Sequence, residues 1–227
     1  MFFSSVVDLS HPLYLGMPNV GGLHVASWPV KTFAATRVLS QGRTAFESRM
    51  MLLPEHCGTH IDVPRHFDEN GTALSEIPLD RLALPGQLLD LRHVPKKKAI
   101  TVAHFEEAEK QSGRRIGPDA AVICWTGSDR DWGKADWMND RPFIPTETAR
   151  WLVDRGMLLF CTDLMGMDDP AEWWWPTHDI WLKNNVCMVQ QLCNLDQLVD
   201  KEFIFVAFPI KMRDGTGCPV RAAALVI

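Results

Sequence analysis

Pro54-Glu55-His56-Cys57-Gly58-Thr59-His60-Ile61-Asp62-Val63-Pro64-Arg65-His66-Phe67 is the stretch that organises the chain. Three of the 8 histidines in the 227-residue sequence fall within its residues 56–66. Even spreading would put fewer than one there, so the clustering needs a chemical reason. His56, His60 and Asp62 supply two imidazoles and a carboxylate, a set that suits Zn²⁺, Mn²⁺ or Fe²⁺ and leaves positions open for water or substrate. Gly58 can take a positive φ or let the backbone close up on a ligand. Thr59 can hydrogen-bond the backbone locally or cap the next turn. Pro64 drives Val63 away from helical angles, so His66 leaves the ligand-bearing segment in a new direction. Cys57 points away from both histidines in most local geometries and is read as a non-ligand.

The totals bound what this stretch can belong to. A chain of 227 residues fits one large α/β domain, here taken as residues 1–227. Apolar residues make up 46% and charged residues 22%, a globular balance. The net charge of −5 argues against a nucleic-acid partner. No apolar run reaches 18 residues, so no membrane partner is expected. The N-terminal segment has no basic n-region and does not read as a signal peptide. Cys57, Cys124, Cys161, Cys187, Cys193 and Cys218 form no C-x-x-C pair and read as reduced core thiols, which places the protein in the cytoplasm.

Working outward, residues 2–9 read as a first strand and residues 11–28, rich in Gly and Pro, as a long loop. Residues 43–53 read as a strand delivering the chain to His56. Residues 68–80 are turn-rich. Strands are expected at 86–92, 120–125 and 157–162, the second buried on both faces because its apolar run does not alternate. Helices are expected at 101–112, capped by Thr101 and stopped by Gly113, at 145–155 with Gly156 as C-cap, and at 177–185. Lys96-Lys97-Lys98 reads as a solvated loop. Loops follow two strand ends, at 126–129 and 163–169, a common place for sites in α/β sheets. The last two strands are 203–211 and 220–227, joined at 214–217 by a hairpin or a short crossing. The sum is a single α/β domain with a mixed sheet.

The run from His56 to His66 resembles the signature of the cyclase-like metal hydrolases, which include bacterial kynurenine formamidase and isatin hydrolase. Asp8-Leu9-Ser10-His11-Pro12-Leu13 looks like that family's opening segment. Thr162-Asp163, Pro176-Thr177-His178 and Cys193-Asn194-Leu195-Asp196 look like its second block, and residues 206–211 with 219–222 like its close. The resemblance implies a swivelling α/β/α fold, a divalent metal, hydrolysis of an amide or cyclic amide, and a homodimer or larger oligomer. His56, His60 and Asp62 match its metal ligands, His66 its histidine near the reacting carbonyl, and His178 a histidine of the second metal in the two-metal formamidases. Where those formamidases carry a bridging glutamate, this chain has Gln190, followed by Gln191. A neutral amide cannot bridge two cations as a carboxylate does. The sequence therefore looks closer to the mononuclear, isatin hydrolase-like branch.

The expected centre is one divalent ion, Mn²⁺ or Zn²⁺, on His56, His60 and Asp62, with Gln190 as a further oxygen ligand. Its water would attack an amide carbon of a small-molecule substrate, with His66 or His178 moving the proton to the leaving nitrogen. Trp173-Trp174-Trp175 cannot all face a core, so at least one is a candidate wall for a flat substrate, with Trp28 and Phe67 as weaker candidates. The alternative for these indoles is packing or a subunit contact. Competing functions are an arylformamidase acting on an open-chain N-formyl group, a metal-dependent lyase or cyclase, and a metal-binding module without catalysis.

Overall fold

A computed structural model describes residues 3–19, 24–134 and 136–227. Regular structure opens with β1 (Ser5–Asp8). The chain then leaves the main body for β2 (Ala26–Lys31), α1 (Phe33–Leu39) and β3 (Ser48–Leu52), and among the described residues β2 and β3 pair only with each other. Thr32 caps α1 through its Oγ1, and Thr36 Oγ1 donates to Phe46 O at 2.7 Å, which pins the return. The expected long loop over 11–28 thus gives way to strand at Ala26, while its residues 20–23 lie outside the described residues, as does residue 2 of the first expected strand.

The chain returns through β4 (His60–Asp62) and three short 3₁₀ turns to β5 (Ala83–Asp90). It continues with α2 (Val102–Ser112), β6 (Ala121–Trp125), α3 (Thr146–Asp154), β7 (Leu159–Thr162), α4 (Pro176–Lys183) and β8 (Cys187–Gln190). It closes with β9 (Phe203–Val206), β10 (Gly217–Pro219) and β11 (Ala223–Val226). The nine-stranded sheet has the order β1-β11-β9-β5-β6-β7-β8-β4-β10. Its centre, β5 to β8, is parallel and its flanks are antiparallel, so the sheet is mixed, as expected.

The apolar run at 121–125 fails to alternate because both its faces are covered. Ala121, Ile123 and Trp125 face inward with Leu159, Cys161, Cys187 and Val189. Val122, Cys124, Phe160 and Met188 face α2, α3 and α4, meeting Phe105, Ala108, Leu152 and Trp181. Trp181 lies 4.4 Å from the Phe160 ring, and its indole N–H donates to Ala149 O at 3.0 Å. Burying each such large side chain contributes roughly 1.5–3 kcal/mol. On the other face the sheet curls on itself. Cys193 N donates to Leu9 O at 3.0 Å and Ser10 bridges Leu192, tying the end of β1 to the end of β8. All six cysteines are buried and free.

The expected connection at 214–217 is corrected. β9 and β11 do pair antiparallel, but the chain between them first crosses to the far edge as β10, beside β4. That detour brings Gly217 opposite Asp62. β8 was missed as a strand, since its apolar run adjoins a helix end and period alone does not separate the two.

Gly86 on β5 shows how tightly the sheet is packed. A Cβ there would fall 2.0 Å from Phe203 Cε2. Gly86→Ala is expected to cost about 1–3 kcal/mol through overpacking, read as a lower urea midpoint at unchanged slope.

Candidate metal centre

β4 puts His60 and Asp62 on the sheet next to Gln190 of β8, and the pair register sets His60 against Gln190. Asp62 is 1% exposed. A lone carboxylate so deep would be costly, and this one is bonded on both oxygens. His56 Nδ1 lies 2.6 Å and His60 Nε2 3.3 Å from Oδ1, and Gln190 Nε2 donates to Oδ2 at 2.5 Å. Burial alone would raise its pKa, but His60 and His56 outweigh that and hold it well below the usual carboxylate range. For His60, burial works against the charged form, and Asp62 prevails and raises the pKa.

Local backbone explains the orientation of each ring. Gly58 adopts φ +58°, as its place in the turn suggests. His60 Nδ1 donates to Gly58 O at 2.7 Å, which fixes the tautomer and leaves Nε2 toward Asp62. Val63 is extended (φ −122°), so the chain turns before the 3₁₀ residues Pro64–His66. His66 therefore folds back and stacks on His56, centroids 3.9 Å apart. His56, Asp62 and His66 each offer a ligand atom, all within 4.8 Å of one another. Thr59 acts at long range instead of locally: its Oγ1 donates to Gln191 O at 2.6 Å and accepts from His11 N at 2.9 Å.

His178 enters from the first turn of α4. Asp168 holds it, accepting from His178 Nδ1 and, at 2.6 Å, from Thr177 N. The free Nε2 faces Gln190 Nε2 at 3.2 Å and Asp62 Oδ2 at 3.7 Å. Gln190 thus presents its amide nitrogen to the cluster, serving Asp62 as a donor, and rotating the amide would present the expected ligand oxygen instead. Phe67 lies between His66 (4.9 Å) and His178 (5.6 Å). Trp175 meets His178 edge-on at 5.4 Å. Trp173 is 81% exposed and packs edge-to-face on the exposed Trp174. Trp28 sits half exposed on β2. Among the described residues these last three make no ring contact with the site histidines.

The sequence reading missed the supports. Thr216 Oγ1 lies 3.0 Å from His56 Nε2 and donates to Glu55 Oε2 at 2.5 Å. Asp168 had a signal, an acid pair, Asp168-Asp169, that ends four positions before the first of the three indoles. Gly217 had none. A Cβ on it would lie 2.4 Å from His56 Cε1 and 2.7 Å from Ile61 O. Four imidazoles aimed around one buried carboxylate, three of them held through their other nitrogen, fit a divalent cation. His56, Asp62 and His66, with His60 beside Asp62, are the residues that would hold it.

A family model described as putative cyclase matches residues 7–169, and the chain belongs to that family. The curated relatives include kynurenine formamidase of Bacillus mycoides (strain KBAB4), 25% identical over 224 residues, which cover 96% of each chain. Isatin hydrolase of Roseibium aggregatum is 29% identical over 202 residues, 80% of this chain and 75% of that one. Among solved structures, an isatin hydrolase bound to the product analogue thioisatinate superposes with a TM-score of 0.84. At 22% identity, it covers 98% of this chain and 92% of its own, which shows the shared fold.

Two predictions follow from this geometry. Gly217→Ala should displace His56 and weaken cation binding by about 10–100-fold, the range seen when a ligand loses its support, while circular dichroism stays native. The second concerns acid. Burial, the largest cause in each case, pushes both His11 and His66 down to about 4. Unfolded histidine titrates near 6.5, so the unfolded chain takes up these protons first. Stability is fully present above pH 6.5 and is lost as pH falls from there toward 4. His11→Phe keeps the stack on Trp132, 4.0 Å away, and should remove about one proton from the slope of unfolding free energy against pH in metal-free protein.

Proposed function

We propose that this protein is a metal-dependent hydrolase that opens the C–N bond of an amide, a cyclic amide above all, with one divalent cation, Mn²⁺ or Zn²⁺. The observation that carries the single cation is the charge of the cluster. Gln190, a neutral amide, stands between Asp62 and His178. Asp168 meets one imidazole from behind, so among the described residues Asp62 is the carboxylate at the middle of the cluster, and one divalent charge suits it better than two. Both the formamidase and the isatin hydrolase relatives act, by name, on amide-type bonds.

The cation supplies an acidified water and a polarised carbonyl. The chain's own residues do the rest. His66, kept neutral by burial down to about 4, offers an unprotonated nitrogen to the cation, which leaves the proton to His178. His178 Nε2 is aimed at the same spot because Asp168 takes its Nδ1 proton. It is placed to take the proton that the attacking water gives up and to pass it to the departing nitrogen. Phe67 and Trp175 flank His178 and form apolar walls suited to a flat ring. Trp28, Trp173 and Trp174, exposed here, reach a substrate only where a second chain or a turn movement brings them in.

We assign the exposed apolar ribbon to a second copy of the chain. Trp28, Val30, Met50, Met51 and Leu52 are all exposed on β2 and β3. Contiguous apolar surface of this kind marks an interface. Among the described residues no helix is long and apolar enough to cross a membrane.

Chelation should abolish amide hydrolysis, and readdition of one equivalent of Mn²⁺ or Zn²⁺ per chain should restore it. Two equivalents, with turnover of open-chain N-formyl aryl amides and none of isatin, would move the assignment to an arylformamidase. Turnover that survives complete metal removal would overturn both. Asp168→Asn should lower kcat by about 10–100-fold with little change in cation content. Light scattering should give the mass of at least two chains, and Met51→Glu should shift it toward one.

A further inference from the structure

Arg141 is 2% exposed, and among the described residues no other lysine or arginine is buried. Burial pushes its pKa down to about 10, against the pull of Asp168 and Asp169, so it stays a cation at neutral pH. Its bonds go to neutral partners. Nε donates to Met138 O at 2.8 Å and Nη1 to Asp168 O at 2.9 Å. The nearby carboxylates are committed elsewhere, Asp168 to Thr177 N and to His178, and Asp169 to Ala171 N. Among the described residues the ion-paired arginines are Arg49, Arg92, Arg114, Arg155 and Arg221, and Arg141 is not one of them. A guanidinium taken out of water costs several kcal/mol unless an anion offsets it.

The third nitrogen, Nη2, borders a gap at Gly166. A methyl group built on Gly166 would lie 3.7 Å from Nη2, 3.8 Å from Gln190 Oε1 and 3.4 Å from Trp175 Cζ3. These are ordinary contact distances, so the missing side chain leaves a niche of about one methyl or one oxygen. The niche adjoins the reaction centre. Gln190 Nε2 is 3.2 Å from His178 Nε2, and the Trp175 ring meets His178 edge-on.

We propose that Arg141 Nη2 and the Gly166 niche form a subsite for a carboxylate oxygen of the molecule bound beside His178. A guanidinium matches a carboxylate in both charge and donor geometry. Calling that molecule a substrate or product rests on the hydrolase reading, whereas the binding does not require turnover. The carboxylate has two possible sources, one carried by the substrate from the start or one made when the amide is cleaved.

The test uses the metal-loaded enzyme as wild type, Arg141→Gln, Arg141→Lys and Gly166→Ala, each checked for fold by circular dichroism. 2-Aminobenzoate and its neutral isostere 2-aminobenzamide are titrated by calorimetry. Wild type should prefer the acid by about tenfold or more, the scale of a charge-assisted contact. Arg141→Gln and Gly166→Ala should cut that preference to under about threefold, and Arg141→Lys should keep part of it. If Arg141→Gln fails to fold, Gly166→Ala decides, since its methyl fills the niche at ordinary distances. An unchanged preference in Gly166→Ala, or none in wild type, overturns the proposal. N-formyl-2-aminobenzoate and formanilide separate the sources. A KM rise in the variants for the acid substrate alone points to the substrate's own carboxylate, and lost product inhibition at constant KM to the product's. Loss of acid preference in the variants with no amide turned over by wild type would keep the subsite and sink the hydrolase reading.

Discussion

The structure turns on keeping one negative charge, that of Asp62, in the interior. An uncompensated carboxylate at that depth would cost several kcal/mol, so every element around it supplies a donor. β4 carries Asp62 and His60, the preceding turn brings His56, and β8 brings Gln190. β10 crosses the whole domain to place a glycine, the one residue small enough, against His56. The antiparallel flank β8-β4-β10 is therefore as much a charge-matching device as a piece of sheet. Breaking one partner leaves the others facing a buried charge, so the site and the fold at that edge stand or fall together.

Much of this was legible in the sequence because it is local. The spacing from His56 to His66 places four polar side chains on two turns and the short strand between them. The positive φ of Gly58 and the extended Val63 follow from residue type alone. The central strand at 121–125 announced itself by continuous apolarity, and the helices by caps such as Thr101 and Gly113. The positions of His178 and Gln190 came from resemblance to a family, since 112 residues or more of chain separate them from His66 and no local rule spans that distance.

What was not legible depends on tertiary placement. Thr216 and Glu55 lie 161 residues apart and meet only because β10 pairs with β4. The 214–217 turn looked like a hairpin because its composition is that of one, while the sheet order that overrides it is set by packing elsewhere. β3 lies within the strand expected at 43–53, but its partner β2 escaped because its outward residues are apolar and Pro29 sits inside it, both signals against an ordinary surface strand. An apolar surface with no core behind it is what the proposed second copy of the chain would cover.

The site divides into two halves of different stiffness, and that division bears on specificity. His60, Asp62 and Gln190 stand on paired strands, and His178 starts a helix whose first turn is bonded to Asp168. Arg141 ties the same loop from behind through Asp168 O. These groups cannot shift without losing buried hydrogen bonds. Trp175, by contrast, ends an exposed turn with φ +56°, a conformation that disfavours a bulky side chain, directly after Trp173 and Trp174. A non-glycine residue held there stores strain of about 1–3 kcal/mol. Relaxing it would swing the indole that closes both the His178 wall and the Gly166 niche. The buried charge is thus fixed by the sheet, while the wall beside His178 is left to a turn that can be altered without disturbing that charge.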